Sequence, residues 1–167
     1  MEQKQAIEQR ISRRSFLQTP IEQQILRQLL EAIEEVNETS GLTVSYLEDG
    51  SDAFAGFKSY GMFDGVRAML VLKGNRELAF LKEKVGYYGE QLILKVTELG
   101  LGSCWLQLRL RPSNEEGVSA EEFVNRRLGA PDNQNVEALL VMGHIDEAPT
   151  AHELPELPCD KVHAERW

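Results

Sequence analysis

Apolar residues recur along this chain at helical and strand periods, in an order that lays out most of its elements. Gln3 to Gln9 reads as a short polar helix that runs into a basic cluster, RISRRSF. Thr19 as N-cap, Pro20 at the first helical position and Glu22 reaching back to the cap predict a helix start. Ile21, Ile25, Leu29, Ile33 and Val36 then recur every three to four residues, a stripe that must face a core, until Gly41 stops it. In LTVSYLE, Leu42, Val44 and Tyr46 alternate as a strand does, and Asp49-Gly50 turns the chain. The glycine-spaced FAGFKSYGMFDGV leads into AMLVLKG, a buried strand.

From Glu77 to Leu99 a long helical pattern appears, with Gly86 and Gly89 inside it. Glycine costs about 1 kcal/mol against alanine in a helix interior, so two of them predict close packing against something. Gly100 and Gly102 end the helix, and SCWLQLRLR alternates as a strand up to Pro112. A second capping box, Ser119 with Glu122, opens the short helix AEEFVNRRL, and VEALLVMG is the last buried strand. The tail from His144 to Trp167 holds three prolines and no helical period, yet keeps Leu154, Leu157, Val162 and Trp167. That apolar content predicts a segment pinned to a surface, for which a partner subunit is a plausible candidate. Four strands separated by helices make a layered α and β fold.

Length and charge narrow the picture. A chain of 167 residues fits one domain, 1–167, with 144–167 as an extended C-terminal tail. Such a chain buries roughly 70% of its surface and needs no disulfide or metal to hold its core. With 18 basic against 27 acidic residues the net charge is −9, which argues against a general nucleic-acid binder. The longest apolar runs, AMLVL and ALLVM, fall far short of the roughly 20 residues that cross a membrane. MEQKQAIEQR lacks the apolar core of a signal peptide, and Cys104 and Cys159 stand far apart with no paired histidines. A cytoplasmic protein without a metal site is the expectation.

Within that acidic chain, Arg10, Ser12 and Arg14 form the strongest constellation. In extended backbone, alternate residues point the same way, so two guanidinium groups and a hydroxyl would converge on one side. Guanidinium forks match phosphate oxygens. The alternative is a solvated basic face that pairs with nearby glutamates. A second candidate is the turn LGLGSCWLQLR, whose glycines let backbone approach a flat ligand, or merely cap the helix. Lys161 and His163, on alternate positions in the tail, could add charge to the same anion or simply be solvated. Tyr87 and Tyr88 fit aromatic stacking or plain packing. Nucleophilic catalysis has little support: Cys104 lies in an apolar strand, and no Ser-His-Asp order is visible.

Taken together, these segments resemble the FMN-dependent nitroreductase family. AIEQRISRRSF is similar to the family's N-terminal signature, with Arg10, Ser12 and Arg14 on its phosphate- and flavin-contacting positions and Ile11 in place of a frequent second basic residue. EKVGYYGEQLILKVTELGLGSCWL resembles the central helix, glycine turn and strand. LGAPDNQNVEALLVMGHIDE resembles the closing helix, proline turn and final strand. Lys161-Val162-His163 is similar to a Lys-x-Arg phosphate motif. Two departures stand out. NETSGLTVSYLEDG replaces an Ala-Pro-Ser-x-x-Asn-x-Gln-Pro-Trp stretch that lines the flavin from the partner subunit, and Gln107 and Leu108 replace a frequent Gly-Gly pair.

The resemblance implies an α+β, nitroreductase-like three-layer fold: a central mixed, mainly antiparallel sheet flanked by helices, with the C-terminal tail extending over the partner subunit. It implies a homodimer with FMN at the interface and glycines of the long helix close to the dimer axis. The implied activity passes a hydride from NADH or NADPH through the flavin to a nitroaromatic, quinone or similar small-molecule acceptor. The flavin carries that chemistry without a catalytic side chain. Arg10 and Ser12 would hold the phosphate with Lys161 and His163, Arg14 would stand near the pyrimidine edge, and the main chain of Leu106, Gln107 and Leu108 would run beside N5. The rival expectations are another flavin reaction on the same fold, and a dimeric binding or regulatory protein without nitroreductase activity.

Overall fold

The computed structural model describes residues 3–51, 63–106, 131 and 133–146. Within them lie α1 (Gln3–Gln9), α2 (Gln23–Ser40), β1 (Ser45–Leu47), β2 (Ala68–Asn75), α3 (Leu81–Glu98), β3 (Gly102–Leu106) and β4 (Gln134–Gly143). The strands form one sheet in the order β1-β2-β4-β3, every neighbouring pair antiparallel. A parallel component comes from the arm that follows α1, which makes isolated bridges from Ser12 to Ser103 and from Ser15 to Asp64.

The sheet is apolar on both faces, which is why β2 and β4 read as continuous apolar runs rather than alternating ones. Leu70, Leu72, Leu140 and Met142 pack with Leu29 and Ile33 of α2 and Leu92, Ile93 and Val96 of α3. Met69, Val71, Leu139 and Val141 face the other way, with Phe16, Cys104 and Leu106. Between Leu72↔Ala138 and Lys73↔Val136 the register skips Glu137, a bulge on β4. The extra residue reverses the alternation there, so Val136 and Ala138 lie on opposite faces.

The expected stripe on α2 is present: Leu29, Ile33 and Val36 are buried, and Ile21 and Ile25 pack against the core. The helix begins three residues later than its capping pattern predicts. Its N-cap is Glu22 in extended conformation, without a side-chain cap bond. The Leu17 amide is tied to the His144 carbonyl at 2.8 Å, so Thr19 and Pro20 are spent carrying the chain from that anchor to the helix. The Glu22 carboxylate instead meets His144 Nε2 at 3.0 Å. Gly41 ends α2 with φ 75°, and Asn37 then clamps the next strand: its amide donates to the Val44 carbonyl and its Oδ1 accepts the Val44 amide.

Leu42, Val44 and Tyr46 turn to the α-helical face as expected, although ladder pairing is confined to Ser45–Leu47, with one bridge from Leu42 to Gly74. The long helix also starts later than its apolar pattern, at Leu81 rather than Glu77. Asn75 organises a turn by accepting the Glu77 amide on its side chain and the Leu78 amide on its carbonyl. Phe80 sits in the left-handed region at φ 58°, which no helix can continue through. The predicted helix AEEFVNRRL, the strand beyond Leu106 and the tail beyond Asp146 lie outside the described residues.

Candidate functional site

The site is built where the arm meets the turn between α3 and β3. The turn is set by glycine chemistry: the Leu101 amide donates to the Val96 carbonyl and the Gly100 amide to the Thr97 carbonyl, with Gly100 at φ 80°. This is a Schellman closure, which needs a residue free of Cβ strain at that position. Gly102 then lets the arm come close. A Cβ there would stand 2.4 Å from Ile145 Cγ2 and 3.1 Å from Arg13 Cγ. Of the two readings these glycines allowed, a ligand approach or a helix cap, Gly100 provides the cap, and Gly102 makes room for the arm.

Arg10 continues α1 by one bond, its amide donating to the buried Ala6 carbonyl. From there the arm runs along the free edge of β3. The Arg13 amide donates to the Ser103 carbonyl at 2.8 Å, and the Asp64 amide donates to the Arg14 carbonyl at 2.8 Å. Phe16 plugs the second face of the sheet. The backbone is extended through Ser12, as the alternation argument requires, and Ser12 and Arg14 are both exposed. Arg10 is half-buried and turns toward α3, where its Nε lies 3.5 Å from Glu90 Oε1.

A cavity of about 320 Å³ opens between the arm, the C-terminal turn of α3 and the start of β3, lined by Arg10, Arg13, Thr97, Gly102, Ser103 and Ile145 among others. Among the described residues two guanidinium groups line it and no carboxylate does. Arg10 Nη1, Arg13 Nη2 and Ser103 Oγ are covered from water, and none has a hydrogen-bond partner among the described residues. Leaving a covered donor unpaired costs about 1–3 kcal/mol. All three residues line the cavity, so its wall is rich in donors and cationic, a lining that suits an anion.

Of the residues singled out from sequence, Arg10 lines this cavity, Ser12 and Arg14 flank it on the exposed side of the arm, and Leu106 is buried at the end of β3. Gln107, Leu108, Lys161 and His163 lie outside the described residues. Sequence reasoning counted Arg13 toward a local anion site without assigning it a role, and missed Ser103. Arg13 was visible in the basic cluster, but which side of the arm faces the cavity follows only from its pairing with β3.

The other candidates resolve simply. Cys104 is a buried thiol and packs as a small apolar side chain. Tyr88 packs on the core, while Tyr87 is exposed and meets it edge to face at 5.0 Å. Gly89 explains one of the two helix glycines: a Cβ would lie 2.4 Å from Trp105 Cη2 and 2.8 Å from Leu72 Cδ1. Gly86 has nothing within 4 Å. Among the described residues no cluster of acidic, histidine or cysteine side chains suits a metal, and no helix is long and apolar enough to cross a membrane.

Residues 2–138 match the family model described as "Putative TM nitroreductase". The chain belongs to the nitroreductase family. Solved structures share its fold. An FMN-dependent nitroreductase from Clostridium difficile R20291 aligns with a TM-score of 0.74 at 21% identity, over 97% of this chain and 98% of that one. Nitroreductase A from Vibrio parahaemolyticus aligns at 0.71 and 19% identity, over 100% of this chain and 78% of that one. A "putative nitroreductase in complex with fmn" from Desulfovibrio desulfuricans aligns at 0.66 and 20% identity, over 99% of this chain and 96% of that one. No curated protein matches the chain. The expected α+β, nitroreductase-like architecture is therefore correct, and this nitroreductase-family chain carries its carboxylate-free cavity beside the arm that bears the family-like signature.

Proposed function

We propose that the protein is an FMN-dependent oxidoreductase that passes reducing equivalents from NADH or NADPH to a nitroaromatic, quinone or related acceptor. The observation that carries this reading is the cavity lined by the Arg10 and Arg13 guanidinium groups and Ser103, with no carboxylate among its described lining residues. That donor set fits the phosphate of a flavin mononucleotide. Family membership, and a similar nitroreductase structure in complex with FMN, support the same ligand.

Bound FMN would supply the hydride-accepting and hydride-donating ring, and the chain's residues do the rest. Arg10 would hold the phosphate with Arg13 and Ser103, Ser12 would approach it from the exposed side of the arm, and Lys161 and His163 would add positive charge from the tail. Arg14 is exposed on the arm, and its charge would favour negative charge on a reduced flavin bound nearby. The main chain of Leu106, Gln107 and Leu108 would flank the ring and limit water beside it. Within this reading the chain is one domain with residues 144–167 as a tail, working as a cytoplasmic homodimer. Exposed Tyr87 and the open space over Gly86 on α3 suit a helix face meant for a second copy.

The test is a visible absorption spectrum of the purified protein before and after incubation with FMN and gel filtration. Retained flavin at about one per chain supports the reading, and Arg10→Ala should release it while leaving the fold intact. A protein that stays colourless after saturation with FMN would favour the binding or regulatory alternative, which the replaced partner-contact stretch, NETSGLTVSYLEDG, also motivates.

A further inference from the structure

Arg10 reaches its position through a chain of contacts that begins two elements away. Gly89, on α3, has no side chain, so the Trp105 ring of β3 lies against the helix at that point. The ring's Nε1 then donates to Glu90 Oε2 at 3.1 Å, one residue further along α3. The other oxygen of the same carboxylate, Oε1, stands 3.5 Å from Arg10 Nε. Glu90 is therefore held on one side by a packed indole and holds a guanidinium on the other. It is not among the residues that line the cavity, so its charge stands behind Arg10 rather than beside the anion.

We infer that Glu90 is a positioning residue that orients Arg10 for phosphate, an inference that rests on the flavin reading of this cavity. An arginine side chain has many rotamers, and a carboxylate 3.5 Å from Nε favours those in which Nη1, on the far side of the guanidinium from the Nε–H, points away from Glu90. Nη1 is the atom left without a partner. The Arg10 and Glu90 side chains are 27% and 45% exposed, so solvent screens their attraction and the pair adds little to fold stability. Its consequence is orientation: less rotamer freedom remains to be lost when phosphate binds.

The experiment titrates FMN, riboflavin and inorganic phosphate into wild type, Glu90→Gln, Arg10→Ala and the double variant, reading flavin fluorescence for the first two and thermal shift for phosphate. Glutamine keeps an oxygen for the Trp105 indole and removes the charged hold on Arg10. Glu90→Gln should weaken FMN by about three- to tenfold, the range of a partly solvated ion pair plus one freed side chain. Riboflavin, which lacks the phosphate, should bind unchanged, and the effect should vanish when Arg10 is already alanine. Equal weakening of FMN and riboflavin would mean a merely structural role and overturn the inference, as would unchanged or tighter FMN binding. If wild type binds no FMN, the flavin reading falls by itself. The inference then stands if phosphate still stabilises wild type more than Glu90→Gln through Arg10, and falls with it if phosphate has no effect.

Discussion

Two glycines three residues apart on α3 provide a matched pair of perturbations with opposite expected signs. Gly89→Ala would place a Cβ 2.4 Å from Trp105 Cη2 and 2.8 Å from Leu72 Cδ1, both inside the distance that packed carbons tolerate. Leu72 is fully buried and Trp105 is tied to Glu90, so neither gives way freely. Overpacking of this kind costs about 1–3 kcal/mol. Alanine also raises helix propensity by about 1 kcal/mol, which offsets part of that cost. Gly86→Ala receives the same propensity gain and meets nothing within 4 Å. Subtracting one variant from the other removes the propensity contribution, so Gly89→Ala should be less stable than Gly86→Ala by about 1–3 kcal/mol. Urea unfolding at one protein concentration measures the difference through the midpoints, provided the slopes agree. A gap below about 0.5 kcal/mol would refute the packing argument. Repeating the Gly86→Ala measurement over a range of concentrations tests the proposed dimer: a free helix face gives a fixed gain, whereas a second copy seated there turns it into a concentration-dependent loss.

Other perturbations probe separate parts of the structure. Gly65 has φ 68°, and a Cβ there would lie 2.0 Å from the Phe16 carbonyl oxygen, so Gly65→Ala should cost roughly 2–4 kcal/mol and speed amide exchange at Phe16 and Asp64, seen by NMR. Leu29→Ala empties a fully buried position between α2 and the sheet and should lower stability by about 2–5 kcal/mol in denaturant melts. Burial pushes the Lys73 ammonium below its ordinary 10.5. Below that lowered value the charge is carried in both states and the burial penalty is present in full; between it and 10.5 the folded chain loses its proton first, so stability rises with pH. Lys73→Met should therefore be more stable than wild type at neutral pH, with an advantage that shrinks toward pH 10.5 in urea midpoints taken across the range. Tyr46, raised above 10.0 chiefly by burial, opposes this at the alkaline end, but it is common to both proteins and cancels in the comparison.

How far the sequence foretold this molecule depends on whether a feature is local. The apolar stripes of α2 and α3 and the continuous runs of β2 and β4 report burial directly, and each stands where its pattern placed it. Helix starts were less legible. Thr19, Pro20 and Glu22 satisfy every local rule for an N-terminus, yet the bond from the Leu17 amide to the His144 carbonyl, 127 positions apart by subtraction, decides that they form a link instead. At the other long helix the competing element was a turn organised by Asn75, with Phe80 in a conformation that propensity gives no reason to expect. The bulge at Glu137 is equally invisible, since it exists only as a mismatch between two strands.

The same distinction governs the candidate site. Spacing alone puts Arg10, Ser12 and Arg14 on one side of an extended segment, but Arg10 still belongs to the end of α1 and turns toward α3, so only Ser12 and Arg14 share the exposed side. Whether their neighbours matter depends on what the segment lies against. Once the arm pairs with β3, Ser103 comes beside Ser12 and Arg13 lies over Gly102, so the inward side of the arm gains a guanidinium that alternation assigns to the opposite face. Arg10, at the hinge between helix and arm, belongs to both arrangements, and Glu90 settles which way it turns. A basic cluster in an acidic chain is ordinarily a solvated patch. Here three elements distant in sequence cover its donors without pairing them, and that incomplete pairing is a property of the fold rather than of the cluster.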